Sequence, residues 1–327
     1  MGSIFFCVMM LFLKILTPSQ RNLTAAVTVY ENDGPMTREA RRRVLEWVVS
    51  LPSLLWLILF FAVPTLLVFG IALKPANPFG GIGRGWTLDN LRAVATPAHL
   101  TIALRTLWIS LLSAGLCLVL AVPTGYFLAR VSARWKGLLV MLIVVPFWTS
   151  FLVRVFAWKS ILHPDGPVKK LLVLAGLADP STPLLYNSAA VVLVTVYAYL
   201  PFTILPVYAA AEKFDFQLLE AARDLGAGRL LAFRRVFLPG IRAGLLTGFL
   251  FVFIPALGSY VIPDLVGGTN GEMLGNRIAQ RVFVDRNLPQ AGGLAVVLVL
   301  AVLVPLAAVL ALERRRERTE AAAGAET

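Results

Sequence analysis

Charged residues are scarce in this chain of 327 residues. They make up 15% of the sequence, and hydrophobic residues make up 58%. A soluble globular domain carries roughly 25% charged residues, with its apolar residues dispersed at periods of 2 or 3.6. Here the apolar residues stand in long blocks, which excludes an ordinary soluble fold and indicates a protein surrounded by lipid.

Cysteine and histidine are nearly absent. Cys7 and Cys117 both stand inside apolar stretches, without a partner at the spacing of a disulfide or a metal site. His99 and His163 belong to no recognisable catalytic constellation. The sequence therefore predicts no metal site and no catalytic residue, so that the chain is not expected to be an enzyme.

A phosphate-binding loop is also missing. The glycine-rich segment Gly80–Trp86 lacks the lysine of such a loop and does not stand between a strand and a helix. We therefore expect no cofactor in this chain. Any energy from ATP has to come from a separate subunit.

The net charge of +12 does not indicate nucleic acid. Basic residues cluster at the edges of the apolar blocks, as in Arg41–Arg43 and Arg314–Arg316. This distribution is typical of a membrane protein, whereas a nucleic-acid-binding protein concentrates its basic residues on one surface. We expect contact with membrane lipid and no nucleic-acid partner.

Six apolar segments are long enough to cross about 30 Å of hydrocarbon as helices. Each is apolar on all sides, unlike an amphipathic helix on the surface of a soluble protein. The predicted fold is an all-α membrane protein with a transmembrane domain at 51–312. Its six spans lie at about 51–73, 103–129, 137–158, 189–211, 241–265 and 291–312.

Lysine and arginine are more numerous on the side of the membrane that holds both termini, counted over short loops and span ends. Examples are Arg130, Arg134, Lys136, Arg234 and Arg235. Because basic residues are retained in the cytoplasm, both termini are predicted to be cytoplasmic, as tails at 1–50 and 313–327.

Residues 1–35 are open to more than one interpretation. Ile4–Leu16 is apolar but has about half the length of a span, and it resembles the core of a signal peptide without a convincing cleavage site. Met36 precedes the basic run directly and is an alternative start, which would make residues 1–35 a non-native extension. Otherwise these residues form part of the tail.

The segment 212–240, between the fourth and fifth predicted spans, has the pattern of two short helices. Asp215 is suited to cap the first helix, whose apolar side is predicted to hold Leu218, Ala222 and Leu225. Gly226 is placed as a left-handed cap after that helix, and Pro239 ends the second one. A helix that rests on lipid headgroups is the simpler alternative.

This segment closely resembles the EAA signature of type I ABC importer permeases. The positions of the signature are filled by Glu220, Ala221, Ala222, Gly226, Val236, Leu238 and Pro239. The resemblance implies the MetI-like permease fold and a coupling loop that docks on separate ATPase subunits, which bind ATP and Mg²⁺. It also implies a second homologous permease subunit and a periplasmic solute-binding protein as partners.

Three other segments resemble the spermidine/putrescine branch of these permeases: Thr87–Leu91, Pro146–Arg154 and Pro255–Gly268. The resemblance implies a polyamine as the transported solute. Ser259 departs from the branch, whose members often carry an acidic residue at that position. Other small organic solutes and ferric iron therefore stay open as alternatives.

Polar side chains at membrane depth are candidates for the substrate path because their burial in lipid is costly. Asp264, beside Tyr260, can attract a cation by its charge and by the face of the ring. Arg154 and Trp148, in the third span, are further candidates. The alternatives are a helix end that faces headgroups for Asp264 and snorkelling to the interface for Arg154.

Two rival functions are less compatible with the sequence. A secondary transporter commonly has around twelve spans or inverted repeats with acidic residues at the midplane, and a membrane enzyme needs convergent catalytic groups. The predicted function is therefore that of a permease subunit of an importer in the bacterial inner membrane, with several membrane spans.

The predicted orientation is tested with a reporter that is active only in the cytoplasm. We expect activity when it is fused after Glu317 or inserted near Gly228, and silence near Asp179, because basic residues are concentrated on the side of the termini. Activity at Asp179 together with silence at Gly228 would reverse the orientation.

Overall fold

A computed structural model describes residues 46–47, 50–77, 80–94, 96–176, 179, 181–303 and 307. The chain divides into two compact units, residues 1–68 and residues 69–327. Within the described residues the structure consists of helices and loops, and an isolated bridge between Ala76 and Ile82 is the extent of its β-pairing. Of the expected tails at 1–50 and 313–327, residues 1–45, 48–49 and 313–327 lie outside the described residues.

The helices are numbered here in chain order, with π turns and 3₁₀ turns counted as part of the helix that they continue. Their bounds are α1 Ser50–Ala72, α2 Asp89–Val94, α3 Pro97–Arg130, α4 Ala133–Trp148, α5 Phe151–Ile161, α6 Pro167–Leu174, α7 Ser188–Glu212, α8 Gln217–Asp224, α9 Arg229–Gly240, α10 Arg242–Leu257, α11 Leu274–Phe283 and α12 Leu288–Leu303.

Three of the described helices, α1, α3 and α7, are long and apolar enough to cross a membrane alone. Two bent pairs pass the same test together, α4 with α5 and α9 with α10, so the described part holds up to five spans. The helix α12 is apolar but shorter. The all-helical membrane architecture is thus confirmed, while the count of six spans and the side of the termini stay predictions.

The third and fifth predicted spans are not single straight helices. The helix axis turns by 87° between α4 and α5, where Thr149 has extended backbone angles. Pro146 lies in the 3₁₀ turn before the break. Proline has no backbone N–H to donate, so the α-helical hydrogen bonding is interrupted at this residue. In the fifth predicted span, helix α10 ends at Leu257, eight residues before the predicted end of the span. A separate π turn follows at Pro263–Gly267.

The centre of the second unit is formed by α3, α7 and α10, each of which packs against the other two. Glycines allow the closest approaches. A Cβ atom at Gly125 would lie 2.9 Å from Val207, and one at Gly248 would lie 3.0 Å from Thr203. Small residues at such contacts are expected in lipid, where helices associate by close van der Waals packing.

We expect Gly244→Ala to destabilise the bundle. The added Cβ would lie 2.4 Å from the Cβ of Ala210 and 2.8 Å from the carbonyl oxygen of Pro206, so α10 has to move away from α7. Overpacking of this kind costs about 1–3 kcal/mol. The thermal unfolding midpoint of the purified protein in detergent should fall.

The matched control is Gly115→Ala on α3, because no heavy atom lies within 4 Å of its added Cβ. This variant should unfold at or above the temperature of the unmodified chain, since alanine favours the helix. Equal midpoints for Gly244→Ala and the unmodified chain would contradict the close packing.

The segment Thr87–Leu91 has a structural role. The side chain of Asn90 is buried and donates hydrogen bonds to the carbonyl oxygens of Ala72 (3.0 Å) and Lys74 (2.6 Å). The Thr87 hydroxyl accepts a hydrogen bond from the backbone N–H of Asp89 at 3.1 Å. These contacts satisfy carbonyl groups at the end of α1 and begin α2.

Candidate functional site: the loop between α7 and α10

The loop 212–240 contains the two short helices expected from the sequence, α8 and α9. Phe216, not Asp215, is the residue that precedes the first helical turn. The Asp215 carboxylate nevertheless accepts a hydrogen bond from the backbone N–H of Gln217 at 2.9 Å. The predicted cap is therefore displaced by one residue, although its hydrogen-bonding role is retained.

The apolar side of α8 differs from the predicted one. Leu219 is buried, whereas Leu218 is 52% exposed and Leu225 is 89% exposed. Ala222 lies on the packed side, as predicted. The prediction was wrong for the two leucines because the sequence does not show which side of a short helix faces the rest of the fold.

Gly226 ends α8 in the left-handed conformation that its position predicts, with a φ of 89°. Its N–H donates to the carbonyl oxygen of Arg223 at 2.9 Å, and the N–H of Ala227 donates to the carbonyl oxygen of Ala222 at 3.1 Å. This pair of hydrogen bonds is a Schellman motif, which fixes the direction of the chain after the helix.

Five aromatic rings hold the loop against α3, and we call them the loop aromatic cluster: Tyr126, Phe214, Phe216, Phe233 and Phe237. The ring of Tyr126 meets the edge or face of three of them, with centroid distances of 5.8 Å to Phe216, 5.5 Å to Phe233 and 5.0 Å to Phe237. Each such pair contributes about 0.5–1.5 kcal/mol beyond the burial of its area. The loop is thus fastened to a spanning helix.

Two cations bind groups at the ends of the helices that lead into the loop. Arg130 donates a hydrogen bond to the Tyr126 hydroxyl at 2.6 Å, and its guanidinium lies 5.7 Å from the centre of the Phe216 ring. Lys136, on α4, donates a hydrogen bond to Glu212, the last residue of α7, at 2.9 Å. The ends of α3, α4 and α7 are therefore connected at the loop.

The remaining residues of the signature divide into a packed set and an exposed set. Val236 and Leu238 are partly buried against the loop aromatic cluster, and Pro239 is exposed. Glu220 and Ala221 are exposed, and the Glu220 carboxylate has no hydrogen-bond or ion-pair partner among the described residues. With the exposed Leu218 of α8 and Leu225, which follows the helix, they form a partly apolar surface with an unpaired carboxylate and no large side chain at Ala221.

The candidate path residues stand in two separate places. The backbone N–H of Asp264 donates to the carbonyl oxygen of Tyr260 at 3.0 Å, so the two side chains lie one turn apart, and both are exposed. Trp148 is 78% exposed at the end of α4. No contact among the described residues joins this aromatic residue to the Asp264 pair.

Arg154, in the first turn of α5, reaches back across the break. Its guanidinium carbon lies 4.5 Å from the centre of the Phe147 ring. Its Nε and Nη1 atoms are buried and have no hydrogen-bond partner among the described residues. The side chain thus stacks on the ring at the corner between α4 and α5.

The loop aromatic cluster was not foreseen from the sequence. Four of its members are phenylalanines in a segment that was expected to lie at the membrane surface, and their density there is a usable signal. Tyr126 stands inside an apolar helix and offers no such signal.

The described residues contain no group of three His, Cys, Asp or Glu side chains that could hold a metal ion.

Long apolar helices, and a loop that presents a partly apolar surface at one end of them, define a helical membrane protein. A family model described as "binding-protein-dependent transport system inner membrane component" matches residues 121–318. The chain belongs to this family. It is therefore a multi-pass protein of the bacterial inner membrane and a transport component rather than an enzyme.

Two curated relatives cover most of the chain. It is 35% identical over 234 residues to the spermidine/putrescine transport system permease protein PotB of Escherichia coli, covering 72% of this chain and 85% of that protein. It is 33% identical over 266 residues to PotB of Haemophilus influenzae, covering 80% of this chain and 93% of that protein. The predicted resemblance to this branch is confirmed.

Solved structures of an ABC importer share the fold. One is a bacterial ABC transporter involved in the import of the acidic polysaccharide alginate, with a TM-score of 0.62, 17% identity and coverage of 86% of this chain and 99% of that chain. Another is the alginate transporter in complex with a periplasmic protein bound to an alginate pentasaccharide, with a TM-score of 0.61 and 17% identity, covering 81% of this chain and 94% of that chain.

We expect Gly226→Val to misdirect α8 without unfolding the protein. No heavy atom lies within 4 Å of an added Cβ, so the cost comes from the left-handed backbone alone, at about 1–2 kcal/mol. The variant should reach the membrane at a near-normal level and co-purify with less of the ATPase subunit that the signature implies. Gly228→Val is the matched control, because Gly228 also has open space but an ordinary φ of −65°.

Glu220→Lys tests the same surface through charge and leaves the backbone unchanged. We expect about a fivefold loss of affinity for the ATPase subunit that the signature implies, which corresponds to roughly 1 kcal/mol for an exposed charge. Unchanged co-purification and unchanged stimulation of ATP hydrolysis in both variants would show that the loop is only a surface feature.

Proposed function

We propose that this chain is the permease subunit of an ABC importer that passes a polyamine, such as spermidine or putrescine, across the inner membrane. The observation that carries the importer assignment is the loop 212–240, in which packed residues of the signature hold α8 while Glu220 and Ala221 face outward. The substrate rests on the identity to the PotB relatives over most of both chains.

The exposed side of α8 suits an ATPase subunit as its partner. The small side chain of Ala221 lets a partner approach the helix closely. Leu218 and Leu225 offer exposed apolar area, and Glu220 offers a carboxylate to a basic group. ATP and Mg²⁺ are bound by that ATPase, and this chain needs no cofactor of its own. Movement of the ATPase is transmitted through the loop aromatic cluster to α3.

Two further partners complete the proposed importer. One is a second homologous permease subunit, whose identity as the same chain or a different one is left open by the sequence. The other is a periplasmic solute-binding protein, and a structure with the same fold contains a periplasmic protein bound to its own solute. In this arrangement both tails and the loop 212–240 lie on the cytoplasmic side.

Asp264 and Tyr260 are proposed to receive an ammonium group of the solute. Both are exposed, and the Asp264 carboxylate has no hydrogen-bond or ion-pair partner among the described residues. Ser259 is 8% exposed, and a Cβ at Gly275 would lie 2.2 Å from its carbonyl oxygen, so this position packs against α11. Asp264 supplies the negative charge that is missing at Ser259.

Trp148 and Arg154 are proposed to shape the path from the third span. Trp148 presents an exposed ring, whose face attracts a cation. Arg154 repels an ammonium group and is held by Phe147, so its contribution is to position the corner rather than to bind the solute. An amine that passes this corner interacts with the aromatic ring and avoids the guanidinium.

We expect Asp264→Asn to reduce uptake of labelled putrescine and spermidine by about fivefold, because an exposed carboxylate contributes roughly 1 kcal/mol to the attraction of an ammonium group. Uptake is measured in cells or proteoliposomes that contain the complete importer. The charge-preserving Asp264→Glu should retain most of the uptake, and both variants should assemble normally.

Equal uptake by the unmodified chain and Asp264→Asn would return Asp264 to the role of a residue that faces headgroups. A binding screen on the periplasmic partner tests the substrate itself. Tight binding of another small organic solute or of ferric iron, without binding of either polyamine, would replace the proposed substrate and leave the importer assignment intact.

A further inference from the structure

Helix α6, which follows α5, buries one of its two lysines and exposes two of its leucines. Lys169 is 5% exposed, and its Nζ donates hydrogen bonds to the carbonyl oxygens of Asp179, at 2.6 Å, and Thr182. Leu171 is 68% exposed and Leu174 is 89% exposed. Because the buried ammonium holds its two carbonyl groups, the helix cannot rotate to bury the leucines without leaving a charge unpaired.

This helix lies at the end of the spans opposite the loop 212–240. Leu162, directly after α5, shares a buried cluster with Leu185, three residues before the start of α7. The loop 212–240 follows the last residue of α7. The exposed leucines of α6 are therefore near the boundary between hydrocarbon and water, in the leaflet away from the loop.

A cleft of about 530 Å³ separates α5 from the start of α6 and is lined by Phe156, Lys159, Ser160, His163, Asp165, Gly166 and Pro167. Phe156 and Pro167 provide apolar walls. Lys159 provides a cation. Asp165, whose side chain is 89% exposed, provides an anion, and its Oδ2 atom lies 3.7 Å from Nδ1 of His163. The cleft thus combines apolar surface with charges of both signs.

The apolar side of the cleft continues along α5. Leu152, Val153 and Phe156 are all at least half exposed on this helix, which forms part of a bent pair with the length and composition of a span. A side chain of this kind on a span contacts acyl chains. The cleft therefore stands where an acyl-chain surface meets water, which is the position of a phospholipid headgroup.

We propose that the corner formed by α5, the turn after it and α6 binds a phospholipid with a phosphoethanolamine headgroup. The Lys159 ammonium pairs with the phosphate, and the Asp165 carboxylate pairs with the primary amine of the headgroup. Leu171 and Leu174 rest among the acyl chains at the interface. A purely anionic lipid would meet repulsion from Asp165, so a zwitterionic headgroup fits the two charges better.

The position of α6 is tested first with spin labels in the complete importer, reconstituted in phosphatidylethanolamine and phosphatidylglycerol bilayers. Labels at Leu171→Cys and Leu174→Cys should relax faster with membrane-soluble oxygen than with an aqueous nickel chelate. A label at Lys170→Cys, on the same helix, should show the smaller oxygen effect. Labels at both leucine positions that respond mainly to the aqueous reagent would overturn the proposal.

The same labels distinguish lipid from a protein partner. Addition of the solute-loaded binding protein should leave the oxygen accessibility of Leu171→Cys and Leu174→Cys unchanged. If it instead protects both positions from oxygen and from the aqueous reagent, this surface is a protein interface, and the lipid proposal is wrong.

The headgroup is tested by native mass spectrometry of the complete importer purified from bilayers with equal amounts of phosphatidylethanolamine and phosphatidylcholine. The unmodified chain should retain phosphatidylethanolamine in excess over the bulk ratio. Asp165→Asn should lower that enrichment by up to about fivefold, the limit for an exposed charge pair. Lys159→Gln should instead lower the retention of both lipids, because both carry the phosphate.

Lys170→Gln is the matched control, because it removes an exposed lysine of α6 that does not line the cleft. It should keep the enrichment of the unmodified chain. No enrichment in the unmodified chain, or an equal loss in the control, would overturn the headgroup assignment. Lipid retention is measured without transport, so the result is independent of which solute the importer carries.

Discussion

The close packing of α7 against α3 and α10 is the constraint on which the rest of the structure depends. Apolar side chains gain little from association in lipid, so helices have to approach closely enough for their backbones to make van der Waals contact. Gly125, Gly244 and Gly248 provide that approach. With this core fixed, the ends of α3 and α7 stand side by side, where the loop 212–240 can be built across them.

The loop is rigid because aromatic rings, and not its helices alone, hold it. Two helices of this length are marginal in isolation. Phe237 of α9 is fully buried and packs on Tyr126, which belongs to α3, so the loop is joined directly to a spanning helix. The Schellman motif at Gly226 keeps α8 at a fixed angle to α9. Stiffness at both joints is what a mechanical coupling element requires.

Local rules predicted the parts of the fold that depend on neighbouring residues. Residue types at fixed spacing predicted the first helix of the loop, its glycine cap and the second helix. The long apolar segments predicted the helices α1, α3 and α7. The exposed side of α8 did not follow, because Leu218 and Leu219 are adjacent and only the tertiary fold decides which one is buried. The break after Trp148 was missed for a similar reason, since proline is tolerated in many spans and the 87° turn depends on what supports it.

The exceptions to these local rules are concentrated between α4 and α6. Arg154 has buried donor atoms without a partner among the described residues, Trp148 is exposed, and Lys169 faces inward while leucines face outward. An unpaired buried donor costs about 1–3 kcal/mol, and stacking on Phe147 offsets only part of this. Packing within the bundle does not explain such choices. Natural chains accept such exceptions where a residue serves function, and this corner holds residues proposed here for the solute path and for the lipid headgroup.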